Sequence, residues 1–407
     1  MNKNMLIAQS GGPTAVINAS LAGAIKAAQE SGKVGTIYGA IHGIEGILKD
    51  RIIDAGKYFS TEEDFEKLIR TPSMALGSCR FKLSKTVDEN YQKIVEILTK
   101  YEIGYFLYIG GNDSMDTVDK LSAFIEKSGI EVKCIGIHKT IDNDLVVTDH
   151  TPGFPSAARY VANSMAEIYA DTCVYDRPMV TVVEIMGRNA GWLTASSIMA
   201  RRSCCPIPQL IYLPEIPFDF DSFEEDIKEA AKEHTSIVVA VSEGIKFKSG
   251  EYVTEAKKTE YDSFGHAALS GVGRYLGDFV KEKFGYKTRV IEFSLLQRAA
   301  SHLTSYRDVE EARICGEKAV EYALDGMNRV MVSMKRVSSD PYVIEYEPVN
   351  VTEIANKEKQ IPMEWIKTNG HELTDEFIEY VRPLIADEEG GIVPDFFLFD
   401  KTDCVVK

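Results

Sequence analysis

Short apolar runs alternate with helix-like stretches along most of the chain. The runs fall at Met5–Ala8, Val34–Ala40, Tyr105–Ile109, Val132–Ile137, Met179–Ile185, Ile237–Val241, Val290–Phe293 and Val330–Val332. Unbroken apolar runs of this length, with no in-out alternation, predict strands buried on both faces of a parallel sheet. Between them, Val87, Tyr91, Ile94, Val95 and Leu98 keep the spacing of one apolar helix face, and so do Phe223, Ile227, Ala230 and Ala231. The alternation predicts a doubly wound α/β architecture. From about residue 336 the chain becomes more polar and less periodic, which predicts a C-terminal extension packed on the main body.

Polar motifs follow the strand-like runs. Ser10-Gly11-Gly12 comes after the first, Gly110-Gly111-Asn112-Asp113-Ser114 after another, then Lys139 to Asp144, Met186-Gly187-Arg188 and Glu243-Gly244. Ligands of open α/β sheets bind outside the carboxyl ends of the strands. Repetition of the pattern predicts one cleft, set between two such sheets.

Lys139-Thr140-Ile141-Asp142-Asn143-Asp144 carries the most chemistry. It sets a cation, a hydroxyl and two carboxylates at one strand end. Asp142 suits a general base for a hydroxyl, and Lys139 a fixed cation for phosphate oxygens. A bland turn of capping residues explains Asp-Asn-Asp but leaves Lys139 without a reason. The glycines of Gly110–Ser114 let backbone amides approach an anion at a helix N-terminus, although a tight capped turn looks the same. Ser10-Gly11-Gly12-Pro13-Thr14 is a second such turn without the dinucleotide GxGxxG spacing. Arg188, Arg289 and Arg298 are each ordinary surface residues when taken singly. As a set around Glu243 they suit a phosphosugar. No histidine pair shows metal-ligand spacing, and Trp192 and the Met199 region read as core.

Composition narrows the classes. A chain of 407 residues with 44% hydrophobic and 27% charged residues is an ordinary soluble one. A formal charge of -16 argues against non-specific nucleic-acid binding and against anionic membrane surfaces. No apolar stretch is long enough to span a bilayer, and the N-terminus enters a strand-like run at once, leaving no room for a signal peptide. Seven scattered cysteines without a CxxC pair predict reduced thiols in a cytoplasm; Cys204-Cys205 is a weak redox candidate. The acidic turn Ala386–Gly391 reads as a solvated loop.

Over roughly residues 4 to 335 the sequence resembles the phosphofructokinase family. The resemblance rests on Ser10-Gly11-Gly12 with Asn18, Gly77-Ser78-Cys79-Arg80, Gly110–Ser114, Thr140–Asp144, Met186-Gly187-Arg188, Glu243-Gly244, and Thr288-Arg289 with Gln297-Arg298. It looks like the pyrophosphate-dependent branch, because ATP-dependent members carry glycine at the positions of Asp113 and Lys139. The resemblance implies that Asp113 projects a carboxylate into the space of an ATP α-phosphate. Two unit charges ~4 Å apart repel by about 4 kcal/mol at an effective dielectric near ~20, roughly a thousandfold in affinity.

It implies two Rossmann-like lobes: residues 1–145 with about 299–335 for the phosphoryl donor, and 146–298 for fructose 6-phosphate. Residues 336–407 would form the extension. Asp142 would deprotonate the sugar's 1-hydroxyl for attack on pyrophosphate, aided by Lys139, Asp113 and Arg188. Thr140, Asp144, Met186, Gly187 and Glu243 would hold the sugar. Tyr286, Arg289 and Arg298 would hold its 6-phosphate, with Arg289 supplied by a neighbouring subunit of a homodimer or homotetramer. Gly11, Arg80, Gly111 and Ser114 would face pyrophosphate, and Asn112 would help hold Mg²⁺, more weakly than the aspartate common there. Leu295 replaces a usual histidine or tyrosine, and Ala299-Ala300 a common Gly-Gly. Leu21 and Ile25 stand where allosteric members carry effector arginines, which predicts no nucleoside-diphosphate activation. Three rivals stand beside this reading: an ATP-dependent 6-phosphofructokinase, a non-catalytic phosphosugar-binding regulatory subunit, and a lipid or dinucleotide kinase.

Overall fold

The computed structural model describes residues 2–175, 177–202, 205–253, 271–387, 391 and 392. Cys204, Cys404 and residues 388–390 of the expected acidic turn lie outside the described residues.

Eleven strands are described: β1 (Asn4–Gln9), β2 (Ile37–Ala40), β3 (Ile52–Asp54), β4 (Ile103–Gly110), β5 (Lys133–His138), β6 (Met179–Ile185), β7 (Leu210–Tyr212), β8 (Ser236–Ser242), β9 (Lys287–Glu292), β10 (Val330–Ser339) and β11 (Tyr342–Asn350). They form a seven-stranded sheet in the order β11-β10-β5-β4-β1-β2-β3 and a four-stranded sheet in the order β7-β8-β6-β9. The second sheet is parallel throughout; the first is parallel except at its two edges, where β3 and β11 run antiparallel.

The unbroken apolar runs have the physical cause expected of them. In β1, Met5 and Ile7 enter one core while Leu6 and Ala8 enter the core on the opposite face. Phe106 and Tyr108 against Leu107 and Ile109 repeat the split in β4. Helices cover both faces, so neither parity of the strand can be polar.

Two compact units emerge. The first holds residues 2–157 and 298–359, and the second holds 158–253, 271–297 and 360–392, counted over the described residues. Two sequence expectations are corrected here. Residues 146–157 belong with the first unit rather than the second. The chain beyond 336 is not one extension, because β10 continues to Ser339 and β11 completes the first sheet, leaving only 360–387, 391 and 392 of its described residues to the second unit. The polar character of this stretch reflects an edge hairpin with one wet face. The second helix expected from its apolar spacing, Phe220–Glu233, buries Phe223 and Ile227, whereas Val87 precedes the helix Glu89–Lys100 and is exposed.

Candidate active site

In the first sheet the chain leaves β1 for β2 on one side and takes up β4 on the other, so the strand order reverses between β1 and β4. Loops at such a switch point splay apart and leave room for a ligand. The loops after β1, β4 and β5 meet there. The Ser10 N–H donates to the Ile109 carbonyl (2.9 Å), and the Lys139 N–H donates to the Gly110 carbonyl (2.9 Å). The Ser10 and Ser114 hydroxyls bond at 2.5 Å. Gly110 is required by this approach, since a Cβ there would lie 1.9 Å from Ser114 Oγ. Gly11 takes φ +78°; its N–H donates to the Cys79 carbonyl (3.3 Å) and its carbonyl accepts from Ser78 Oγ (2.6 Å), so the segment leading into the exposed Arg80 is tied to this turn.

Lys139 is only 2% exposed. Its ammonium donates to the carbonyls of Ser10 (3.0 Å) and Gly12 (2.6 Å), and lies 3.4 Å from where a Cβ on Gly11 would stand. Burial pushes its pKa down to about 7, with Asp142 and Asp144 opposing that shift and Arg298 adding to it. Arg298 approaches the same turn, its Nη1 lying 3.4 Å from a would-be Gly12 Cβ. Asp144 is half-buried, and burial together with the Asp142 charge raises it to about 7. Asn143 adopts φ +55° and accepts from the Thr151 N–H (3.1 Å), while the Thr140 hydroxyl accepts from the Asp142 N–H (3.1 Å). The loop therefore presents two carboxylates next to two cations, an arrangement suited to moving a proton while phosphate charge is neutralised.

Asp113 stands in the first turn of the helix Asn112–Ser128, with Gly111 at its N-cap. Its carboxylate pairs with Lys82 Nζ at 3.0 Å. Asn112 departs from expectation. Its Oδ1 accepts from the Asn356 N–H (2.7 Å) and its Nδ2 donates to the Lys357 carbonyl (2.6 Å), so both ends of the amide are spent on backbone. Among the described residues, no group of three or more His, Cys, Asp or Glu side chains could hold a metal ion. These residues do not fit a resident magnesium site at Asn112.

In the second unit, Met186-Gly187-Arg188 follows β6 and Glu243-Gly244 follows its neighbour β8. Gly187 takes φ +148°. Its N–H donates to Glu243 Oε1 (3.5 Å), and its carbonyl accepts from Ser242 Oγ. Gly244 packs on Arg188 so closely that a Cβ would lie 1.9 Å from the Arg188 carbonyl oxygen. The Met186 N–H donates to Gln297 Oε1 (3.2 Å). The Arg188 Nε–H is buried with no hydrogen-bond partner among the described residues.

Tyr286 is not brought to this set, and Arg289, expected to serve a neighbouring subunit, also lies away from it. Tyr286 precedes β9, at the amino end of the sheet, and its ring stacks on Phe284 (5.3 Å). Arg289 lies opposite Thr181, three residues short of the strand's end, about 10 Å back at ~3.3 Å per residue. It pairs with Asp171 and lines a hollow of about 410 Å³ with Tyr160, Phe293 and Leu296. Sequence reasoning missed Lys82, Asn356 and Lys359, whose proximity to the loops arises from the fold. Asn143 carried a signal, since asparagine is among the residues that tolerate left-handed backbone.

A family model described as Phosphofructokinase matches residues 4–323. The chain is 40% identical over 410 residues to the pyrophosphate–fructose 6-phosphate 1-phosphotransferase of Methylococcus capsulatus, covering 97% of this chain and 95% of that one. It is 42% identical to the protein of the same name from Rhodospirillum rubrum, covering 94% of each. The crystal structure of a pyrophosphate-dependent phosphofructokinase from Nitrosospira multiformis superposes with a TM-score of 0.85 at 39% identity, covering 95% of this chain and 92% of that one.

Proposed function

Because the chain belongs to the phosphofructokinase family, we propose that it transfers a phosphoryl group reversibly between pyrophosphate and the 1-hydroxyl of fructose 6-phosphate. The products of the forward reaction are fructose 1,6-bisphosphate and phosphate. The observation that carries the donor assignment is the buried Lys139 ammonium set within the turn Ser10–Gly12, with the Asp113 carboxylate in the first turn of the adjoining helix. A glycine pair at those positions would leave space for a nucleotide; this pair favours a small inorganic donor.

Asp142 takes the proton from the 1-hydroxyl. The oxygen attacks a phosphorus atom of pyrophosphate, the bridging P–O bond breaks, and phosphate leaves with that bond's electrons. Lys139 offsets the charge on the transferring oxygens, with Gly11, Arg80, Gly111 and Ser114 around the donor, and Arg298 holds the 6-phosphate. In reverse, Asp142 returns its proton to the departing sugar oxygen. Arg188, Met186, Gly187 and Glu243 hold the sugar with Thr140 and Asp144, and Arg289 reaches the 6-phosphate of a neighbouring subunit in a homodimer or homotetramer. Its position well back from the carboxyl end of β9 supports that assignment. Magnesium belongs to this reading as the ion that pyrophosphate brings with it, since Mg²⁺ prefers phosphate oxygens and water to a dedicated protein cage. The buried thiols of Cys79, Cys134 and Cys315 suit a reducing cytoplasm.

An aldolase-coupled assay of the purified chain with each donor tests the proposal. Turnover with pyrophosphate and little with ATP is expected; strong turnover with ATP and none with pyrophosphate rejects it.

A further inference from the structure

After β11 the chain turns back to the carboxyl ends of β4 and β5. Asn356, in the left-handed conformation at φ +62°, begins the contact. Its N–H donates to Asn112 Oδ1 (2.7 Å), and its Nδ2 donates to Asp116 Oδ1 (3.1 Å). Asn112 Nδ2 donates in return to the Lys357 carbonyl (2.6 Å). Two residues further on, the Lys359 N–H donates to the Asp144 carbonyl (2.7 Å), and Lys359 Nζ donates to the carbonyls of Asp149 (2.7 Å) and Thr148 (3.2 Å). Four consecutive residues thus hold the donor loop at one end and the carboxylate loop at the other, all within the first unit.

We propose that residues 356–359 are a strap that fixes the spacing of the two loops, and that Asn112 is a positioning residue of this strap rather than a magnesium ligand. The chemistry of the side chain carries the assignment. The strap offers Asn112 one backbone donor, the Asn356 N–H, and one backbone acceptor, the Lys357 carbonyl. An amide answers both with its two ends, whereas a carboxylate only accepts. An aspartate in the same pose would press an anionic oxygen against a carbonyl oxygen at about 2.6 Å. The departure from the acidic residue common in the family is then a requirement of the strap. Lys359 serves the other end, spending its ammonium and its amide on carbonyls of the segment 144–149 and so holding the turn that carries Asp142 and Asp144. The kinetic arm of this inference rests on the pyrophosphate reading; its structural arm does not.

The test compares the unaltered chain with Asn112→Asp and Lys359→Met. Amide hydrogen exchange is followed over residues 139–149 and 351–359, together with kcat, the two substrate KM values and the Mg²⁺ concentration giving half-maximal rate. Both variants should exchange faster in the two segments. Each should lose about ten- to a hundredfold in kcat, as a misplacement near 1 Å does, with smaller changes in KM. The Mg²⁺ requirement of Asn112→Asp should not fall. Unchanged exchange in a folded Asn112→Asp overturns the strap, and so does a lower Mg²⁺ requirement with kcat retained. If Asn112→Asp does not fold, Lys359→Met decides by the same exchange readout. Exchange needs no substrate, so failure of the donor assignment would leave this result standing.

Discussion

At the scale of single residues, the structure changes which substitution best probes donor choice. Converting both Asp113 and Lys139 to glycine follows from the sequence alone, but Lys139 is buried on two carbonyls. Removing its ammonium would strand both, at about 1–3 kcal/mol for each group left unsatisfied. Asp113 is safer because its carboxylate is partly solvated and its contact is with Lys82. That pairing also trims the repulsion toward a nucleotide phosphate, since a partly exposed ion pair is screened. Asp113→Gly alone is therefore expected to improve kcat/KM for ATP by about ten- to a hundredfold rather than the thousandfold of a bare charge. Pyrophosphate turnover should fall less. Steady-state kinetics with both donors decide; an unchanged ATP parameter would show that the barrier lies elsewhere.

Among elements, the helices Ile17–Ser31 and Tyr306–Leu324 pack with backbones almost touching. A Cβ on Gly23 would lie 2.1 Å from the Arg313 carbonyl oxygen, and one on Gly316 would lie 2.1 Å from that of Ser20. Leu21 and Ile25, expected as a missing effector site, are fully buried in this region. Gly23→Ala gains about 1 kcal/mol of helix propensity but forces the helices apart, and overpacking of this kind costs about 1–3 kcal/mol, more when the obstacle is backbone. A net loss of about 1–2 kcal/mol in urea unfolding is expected, with the m-value unchanged; a higher midpoint would contradict the packing.

Legibility in the sequence follows the same physics. Strands such as Met179–Ile185 were readable because helices cover both faces. β3 is three residues long, and β11 alternates half-buried with exposed positions over its first half, so neither produces an apolar run; β7 does sit in one, Leu210–Leu213, which went unread as a strand. Site residues at strand ends were readable from their place after the runs. The Asn112 clip joins positions 244 and 245 apart, which no local pattern encodes.

For the whole molecule, the surroundings of Arg289 bear on whether a second chain completes the site. Arg289 is held by Asp171 beside a hollow, while Leu295 and Leu296 next to it are more than half exposed. An exposed leucine pair flanking a guanidinium suits a surface covered by a second copy, which would receive the arginine. Asp142→Asn and Arg289→Ala should each be nearly inactive alone. If Arg289 serves a neighbour, a mixed dimer pairs intact Asp142 of one chain with intact Arg289 of the other at one of its two sites. Half of randomly mixed dimers are mixed, so co-refolding equal amounts should restore about a quarter of the unaltered activity. If Arg289 acts within its own chain, every site in the mixture lacks one group and no activity returns. Sedimentation of the unaltered chain supplies the companion measurement, because a monomer at assay concentration would remove the recipient altogether.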